Sequence, residues 1–548
     1  MGDERALQKA VVANPDEDAA RLVYADWLDE NRPDATPSPA DGPSARAEYV
    51  RVQCRLAAGA FDARDYPELL EKERDLADWL TTHDPNPDPE LADLYYPLAA
   101  TAGEWGAYRQ GFLEVVEFGD YGEDARATVD ALAATLEAAL PRTTARTLQL
   151  DDPTAEEVAL LARHPVIGRL RGLRLNGLGD REEDAAVAAV AASPRAAGLR
   201  RLYFDFPLDV SGCRAMARSR HLGNLESFVI DYPISARALK QLAGAKWFRS
   251  LRRLHLYSGA GGDVFRVLAD VRPMPRLVSL TLLGSCGEST AAVRRFAASE
   301  SFPRLAHLNL RGTRLSSDHV ALLARGNWPL RHLDLGQTEV RKAGAESLAA
   351  APFARSLRVL ELPECDITAS GAQALADSPA LAGLRHLNLS ANPIGPGGLA
   401  ALAASESLRG LRVLDVSRTN TARAPVSARE VHAFLSTLTT PELRHLALDA
   451  LPVALRGARV LAASPSFANL TRLRLETCAV GPRAAAALAA SETLDGLVSL
   501  TLKGNKIGSG LAKVANTQTF PRLAHCRLGT GVPRGTHARL CRRPGVRG

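Results

Sequence analysis

The sequence predicts an α/β solenoid, a horseshoe with a parallel sheet inside and helices outside, preceded by a small helical N-terminal domain. Three observations lead to this prediction: a leucine spacing that recurs about fifteen times, an alternation of apolar and polar positions within each copy, and an Ala- and Leu-rich segment after it. Only 5% of the 548 residues are aromatic, which suits many small packing units better than one deep core.

The repeated pattern begins near residue 145 and consists of a hydrophobic residue, two polar residues, Leu, a polar residue and Leu. The segment 145–150 is a weaker first copy. Most copies are 25 to 29 residues apart, but the step from Leu411 to Leu443 is 32 residues, which predicts an extra loop near 419–425. Clear copies begin at Leu170, Leu199, Leu225, Leu251, Leu277, Leu305, Leu330, Leu357, Leu384, Leu411, Leu443, Leu470, Leu497 and Leu523.

The unit from Leu384 to Ile394 shows how each copy folds. Its alternating Leu387 and Leu389 have the period of a short strand with one buried face, and the Ala- and Leu-rich segment 397–405 predicts a helix. Such a unit cannot bury its apolar faces alone and must stack on its neighbours. Strands lie about 4.8 Å apart and helices about 10 Å apart, so the stack must bend with the sheet inside.

The ninth position of the unit carries small polar residues or cysteine. These side chains can bond to backbone groups where the chain leaves the strand, so we expect the two cysteines to be structural rather than reactive. The residues at this position are Asn392, Asn505, Cys365, Cys478, Thr313, Thr338 and Thr419.

These repeats resemble the leucine-rich repeats of ribonuclease-inhibitor-like proteins. Residues 384–395 and 497–508 follow that family's pattern, Leu-x-x-Leu-x-Leu-x-x-Asn-x-Ile-Gly, nearly throughout, and the resemblance covers about 380 residues. It implies the solenoid fold and, since known members mostly bind proteins along the concave sheet, protein binding.

The sequence of the N-terminal region predicts two short helices over 3–30, which are separated at 14–16. It predicts further helices over 45–56 and 69–80. The segments 14–18, 22–30 and 46–53 resemble the bacterial repeat-companion domain, which precedes repeat arrays and has no established activity; here a Pro-rich insertion at 33–43 departs from the family. We expect a companion domain at 1–60, a linker helix and N-terminal cap at 61–144, the solenoid at 145–530 and a disordered basic tail at 531–548. The cap comprises a strand over 105–118 and a helix over 125–140.

The charge of the chain is uneven. Residues 1–145 hold 13 Lys and Arg against 30 Asp and Glu, which leaves 54 basic and 32 acidic residues in the remainder. One explanation of this asymmetry is coding bias toward Arg, and the other is attraction between head and solenoid or to an anionic partner.

The sequence predicts a cytoplasmic protein without a membrane span. The N-terminus shows no signal-peptide pattern, and the longest apolar stretches are well below the ~18 residues of a span. Seven scattered cysteines without a CxxC pair favour reduced thiols. We expect no cofactor, because no phosphate loop, dinucleotide fingerprint or metalloprotease motif occurs.

Solvent-facing strand positions supply the candidate site residues. The register predicts one column of histidines and, beside it, a column of polar residues, so that His307, His332 and Asp334 could share a divalent metal. The alternative is an exposed strand face that binds a partner. The histidine column is His307, His332, His386, His445 and His525; the second column is His255, Asn309, Asp334, Glu361, Asn388 and Asp415; and further exposed anchors are Tyr203, Arg253, Tyr257, Arg472 and Arg474.

Three functions follow, of which a non-catalytic scaffold that binds an unidentified protein partner is favoured. Nucleic-acid binding by the basic solenoid and its tail is the second, although stacking aromatics are sparse. The third function is that of an enzyme or metal-binding protein, which would use His307, His332 and Asp334 or a thiol such as Cys54. The usual role of a cysteine such as Cys54 is that of a small buried hydrophobe.

Overall fold

The computed structural model describes residues 2–13, 18–31, 45–57, 108–109, 112–113, 115–118, 124–140, 146–178, 182–259, 264–284, 289–508, 520, 523 and 525–528. The chain divides into two compact units, residues 1–308 and 309–548. The predicted helix over 69–80, the Pro-rich insertion and the basic tail lie outside the described residues.

The first unit begins with three helices, α1 (Gly2–Ala13), α2 (Asp18–Asn31) and α3 (Ala45–Ala57). They pack around a core that includes Tyr24, Val50 and Cys54. Arg51 of α3 bonds to Asp26 of α2 at 2.6 Å and to Asp29 at 2.7 Å, which joins the two helices at the surface. Cys54 is buried in this core, as a small hydrophobe would be.

A short hairpin and a parallel sheet follow the three helices. The sequence predicted one strand over 105–118, but β1 (Tyr108–Arg109) pairs antiparallel with β2 (Phe112–Leu113) before β3 (Val115–Phe118) begins. Only two residues, one of them Gly, separate β1 from β2, a spacing typical of a hairpin. Strands β3 to β9 form a parallel sheet in sequence order.

The remaining elements of the first unit alternate strand and helix. They are α4 (Ala125–Ala139), β4 (Thr147–Asp151), α5 (Ala155–Arg163), β5 (Gly172–Asn176), α6 (Glu183–Ala192), β6 (Arg201–Asp205), α7 (Val210–Arg218), β7 (Ser227–Ile234), α8 (Ala236–Ala243), β8 (Arg253–Ser258), α9 (Val264–Ala269), β9 (Ser279–Gly284) and α10 (Thr290–Ala297). Strand β10 (His307–Asn309) contains the boundary between the two units.

The second unit repeats the same alternation, and its strands β11 to β18 are also parallel in sequence order. Its elements are α11 (Ser317–Leu323), β11 (His332–Asp334), α12 (Arg341–Ala349), β12 (Val359–Glu361), α13 (Ala369–Ala376), β13 (His386–Asn388), α14 (Gly395–Ala404), β14 (Val413–Asp415), α15 (Ala428–Thr437), β15 (His445–Ala447), α16 (Ala454–Ala463), β16 (Arg472–Arg474), α17 (Pro482–Ala489), β17 (Ser499–Thr501) and β18 (His525–Arg527).

Short 3₁₀ helices lead into several of the strands, among them Pro165–Arg169, Pro194–Gly198, Leu222–Asn224, Trp247–Ser250, Pro352–Ser356, Pro379–Gly383 and Pro465–Phe467. This organisation confirms the predicted α/β solenoid. None of the helices in the described ranges combines the length and the apolarity that a bilayer crossing requires.

The repeats stack in one register. Leu360 pairs with Leu387, and Leu387 pairs with Leu414, so the apolar residues of successive strands lie on the same side of the sheet. All three leucines are at most 1% exposed. Helices on the other side pack against their sequence neighbours, for example α13 against α14. Each repeat thus buries its apolar side chains between the sheet and the helices.

The ninth position joins consecutive repeats by hydrogen bonds. The Oδ1 of buried Asn392 accepts from the backbone N–H of Cys365 at 2.9 Å and of Ile367 at 3.0 Å, both in the preceding repeat. Its Nδ2 donates to the carbonyl of Leu362 at 2.7 Å. Asn505 makes the same three bonds to its own preceding repeat.

The cysteines at the ninth position are structural, as the sequence predicted. The thiol of Cys365 donates to the carbonyl of Leu335 at 3.1 Å, and that of Cys478 donates to the carbonyl of Leu448 at 3.1 Å. Burial raises the pKa of Cys365 to about 11 and that of Cys478 to about 12, so both stay protonated thiols at neutral pH.

Replacement of Asn392 by Ala is expected to lower the free energy of unfolding by about 3 kcal/mol, because it leaves two buried N–H groups and buried carbonyls without partners. Urea unfolding of the full chain measures this loss. Asn469→Ala is the matched control, since exposed Asn469 makes one hydrogen bond, to the carbonyl of Pro441. Equal losses for the two variants would contradict the assigned role.

Candidate binding surface

The solvent-facing residues of the second unit form columns across neighbouring strands. Asp334, Glu361, Asn388 and Asp415 are direct partners in the register of β11 to β14, as the sequence predicted. His332, His386 and His445 also share one column, as the sequence predicted. Val359 lies between His332 and His386, and Val413 and His445 continue the column, so these histidines are two strands apart, about 9.6 Å.

Most residues of the second column also end their own strand. One side-chain oxygen of Asn309, Asp334, Asn388 and Asp415 accepts a hydrogen bond from the backbone N–H two residues further on, at 2.8 to 2.9 Å. This bond gives the chain a partner where the ladder stops. A residue that follows an alternating pattern thus has a local structural role that the pattern alone did not reveal.

Glu361 is the centre of a cluster in the second unit. The Nε2 of His386 lies 2.8 Å from its Oε1, and both side chains are about one-fifth exposed. Burial alone would raise the pKa of Glu361, but the hydrogen bond from His386 and the nearby His332 and Asn388 lower it to about 2. Glu361 is therefore a carboxylate at neutral pH.

His332 and Asp334 share strand β11, and their pKa values are shifted in opposite directions. Burial lowers the pKa of His332 to about 4, against the opposing charge of Glu361. Burial raises the pKa of Asp334 to about 6, against the hydrogen bond from the N–H of Gly336. Both shifts favour the neutral form of the side chain.

Further along the same unit, Arg474 links two carboxylates. It lies 3.5 Å from Asp415 and forms a closer ion pair with buried Asp449. Arg472, on the same strand, aligns with His445 and Ser499 and is partly exposed. The surface of this unit thus carries acidic side chains over β11 to β14 and guanidinium groups over β16.

The first unit holds an aromatic network instead. The guanidinium of Arg174 lies 4.1 Å above the ring of Tyr203, whose hydroxyl donates to Asp231 at 3.1 Å. We expected Tyr203 to be an exposed anchor, but it is only 6% exposed because Arg174 covers it. Burial raises the pKa of Tyr203 to about 12.

His255 completes this network. Its Nε2 lies 3.7 Å from Asp231, and the nearby imidazole of His255 lowers the pKa of that carboxyl. Arg253 and Tyr257, on the same strand, are partly exposed, as is His307 of β10. The sequence analysis missed Tyr232, which is 42% exposed beside Asp231. Tyr232 lies just after the regularly alternating outward positions of β7, so the alternation did not indicate that its side chain is exposed.

The proposed metal site is not assembled. Within the described part of the chain, no three His, Cys, Asp or Glu residues are arranged to hold a metal ion. The side chain of His525 is not among the described ones.

A row of arginines lies at the start of the strands, a feature that the sequence analysis did not single out. In the second unit the row is continuous, because the backbone N–H of each member donates to the carbonyl of the one before it at 2.8 Å. Its members are Arg331, Arg358, Arg385, Arg412 and Arg444.

Two of these arginines are fixed to the backbone. Arg358 donates to the carbonyl of Leu357 at 2.8 Å, and Arg385 donates to the carbonyl of Gly410 at 3.1 Å. The guanidinium of Arg358 occupies the space that a Cβ would need at Gly383, and that of Arg385 does the same at Gly410. A glycine in the following repeat therefore admits the arginine that satisfies these carbonyls.

Comparison with known proteins agrees with this geometry. The family described as "Leucine Rich repeat" matches residues 353–376 and 384–403. The chain thus contains leucine-rich repeats over these residues. No curated protein matches its sequence.

Two solved structures are similar to this chain. An internalin, inlF, from Listeria monocytogenes is 15% identical with a TM-score of 0.37, over 73% of this chain and 93% of that one. The yeast Rad7 and Elc1 complex contains a chain that is 14% identical with a TM-score of 0.41, over 78% of this chain and 98% of that one. These likenesses assign no partner or activity to this protein.

The opposite shifts of His332 and Asp334 predict opposite pH effects on stability. Between about pH 4 and 6.5 the unfolded chain protonates His332 and the folded chain does not, so His332 makes the free energy of unfolding rise with pH. Between about pH 4 and 6 the folded chain keeps the proton of Asp334 and the unfolded chain loses it, so Asp334 makes that free energy fall.

We therefore expect His332→Gln to reduce the slope of unfolding free energy against pH, and Asp334→Asn to increase it, each by at most about 1.4 kcal/mol per pH unit. Asn at position 334 keeps an oxygen for the N–H of Gly336, so the turn is preserved. Urea unfolding at several pH values between about 4 and 6 gives the slopes. Slopes that change in the same direction for both variants would show that the two groups are not buried as described.

Proposed function

We propose that this protein is a non-catalytic scaffold that binds a protein partner on the solvent-facing side of its sheet. The observation that carries the proposal is the order of the outward side chains. They stand in register on consecutive strands and are held there by bonds such as that between His386 and Glu361. A surface fixed before binding loses little side-chain entropy when a partner docks.

The chemistry of this surface suits a polar protein interface. Carboxylate, imidazole, guanidinium and phenol groups alternate with small residues such as Ser499 and Thr501. From β11 to β18 the sheet spans roughly 34 Å at the usual strand spacing. A standard interface of ~800 Å² per partner is about 28 Å across, so the second unit alone is long enough to hold one.

We further infer that the repeats are of the ribonuclease-inhibitor-like type and that the three N-terminal helices form a repeat-companion domain. Asn392 and Asn505 occupy the ninth position of the repeat pattern, and each accepts a backbone hydrogen bond from the preceding repeat, which supports the first inference. The compact core of Tyr24, Val50 and Cys54 supports the second.

We also place the protein in the bacterial cytoplasm. The five cysteines in the described part of the chain are buried and form no disulfide, as in proteins of reducing compartments. Nucleic-acid binding is the second candidate function, favoured by the arginine row.

To test the scaffold function, the immobilised full chain is incubated with lysate of its host, and each enriched protein is purified and titrated against variants. Thr281→Arg and Thr501→Arg add bulk to outward positions of β9 and β17, and Arg474 of β16 is the register partner of Thr501. We expect one of them to weaken binding of the partner at least about tenfold.

Gln373→Arg is the matched control, because it adds the same group to an exposed position of helix α13. It is expected to leave the affinity within about twofold. A partner that tolerates both sheet variants, or that is lost equally with Gln373→Arg, would disprove binding on the sheet surface.

A further inference from the structure

A polar groove lies in the first unit, at the edge where the strands begin. It has a volume of about 290 Å³. Its charged lining residues are Arg171, Arg200, Arg276 and Glu226, and the remainder of the lining consists of glycines, Asn224, Leu225 and Ser250. We call it the strand-start groove. It is separate from the outward surface described above, which lies further along the strands.

The backbone fixes the spacing of the charged groups. The N–H of Arg200 donates to the carbonyl of Arg171 at 2.7 Å, and the N–H of Glu226 donates to the carbonyl of Arg200 at 2.8 Å. The three residues therefore stand immediately before adjacent strands, about 4.8 Å apart. Arg276 joins them from the segment that precedes β9.

Two of the arginines are available to a ligand. Arg200 and Arg276 are exposed, and in the part of the chain that the structure describes neither has a hydrogen bond or an ion pair from its side chain. Arg358 and Arg385 of the second unit differ, since they donate to backbone carbonyls. The residue just before the first leucine of the next repeat also differs, since it is Asn224 after Arg200 and Gly410 after Arg385.

The charge of the groove selects an anion. Three guanidinium groups face one carboxylate, so the lining carries a formal net charge of +2. A guanidinium presents paired N–H donors that match the two oxygens of a carboxylate. Three guanidinium groups in one concave site thus attract a ligand with two or more adjacent carboxylates.

We propose that the strand-start groove binds a carboxylate-rich segment of a protein partner. This inference rests on the proposed scaffold function and gives it a second contact, away from the outward surface. A protein segment is favoured over a nucleic acid because no aromatic side chain lines the groove to stack a base. The volume suits one or two acidic side chains.

Fluorescence anisotropy of a labelled octaglutamate peptide, titrated with the full chain at low salt, tests the proposal. The double variant Arg200→Gln with Arg276→Gln is expected to weaken binding about tenfold, and Glu226→Gln is expected to strengthen it about threefold because a repelling carboxylate is removed. Arg214→Gln is the control. It removes the same charge from an exposed position of helix α7 and is expected to change the affinity less than about twofold.

Peptide binding in the groove would be disproved if the double variant bound the peptide as tightly as the unmodified chain does. It would also be disproved if Arg214→Gln weakened binding as much as the double variant. It would also be rejected if a labelled single-stranded oligonucleotide bound more tightly than the peptide and lost that affinity in the double variant, since the site would then serve nucleic acid. The outward-surface variants Thr281→Arg and Thr501→Arg leave the groove intact, so failure of the scaffold proposal and failure of the groove are distinguishable.

Discussion

The parallel register of successive strands is the constraint on which the rest of each unit depends. A single repeat has too few apolar side chains to form a core, so its leucines are buried only when the neighbouring repeats stand in phase. Leu360, Leu387 and Leu414 meet in this way. A shift by one residue would turn these leucines to the solvent side, and the buried bonds of Asn392 hold the alignment where the chain leaves the strand.

The same register orders the surface. Because apolar residues alternate with polar ones, burying the leucines necessarily aligns Asp334, Glu361, Asn388 and Asp415 on the other side. Several of these side chains use one oxygen to terminate their own strand. The proposed binding surface is thus made from residues that the fold itself requires.

The row of arginines shows how one repeated residue acquires two roles. Where the next repeat offers a glycine, as Gly383 does for Arg358, the guanidinium lies over the backbone and satisfies its carbonyls. Where the next repeat offers Asn224, Arg200 stays exposed and a groove remains. A small difference in the facing residue therefore separates a structural arginine from one that can meet a ligand.

The sequence by itself determined the repeat length, the alternation of strand and helix, the buried leucines and the structural place of Cys365 and Cys478, because these follow from a periodicity that every repeat shares. Only the tertiary structure decided that Arg174 covers Tyr203, and that Arg200 is exposed while Arg385 is not. These outcomes depend on which side chain the neighbouring repeat places opposite each residue, about 27 positions away along the chain, and a pattern within one repeat does not contain that information.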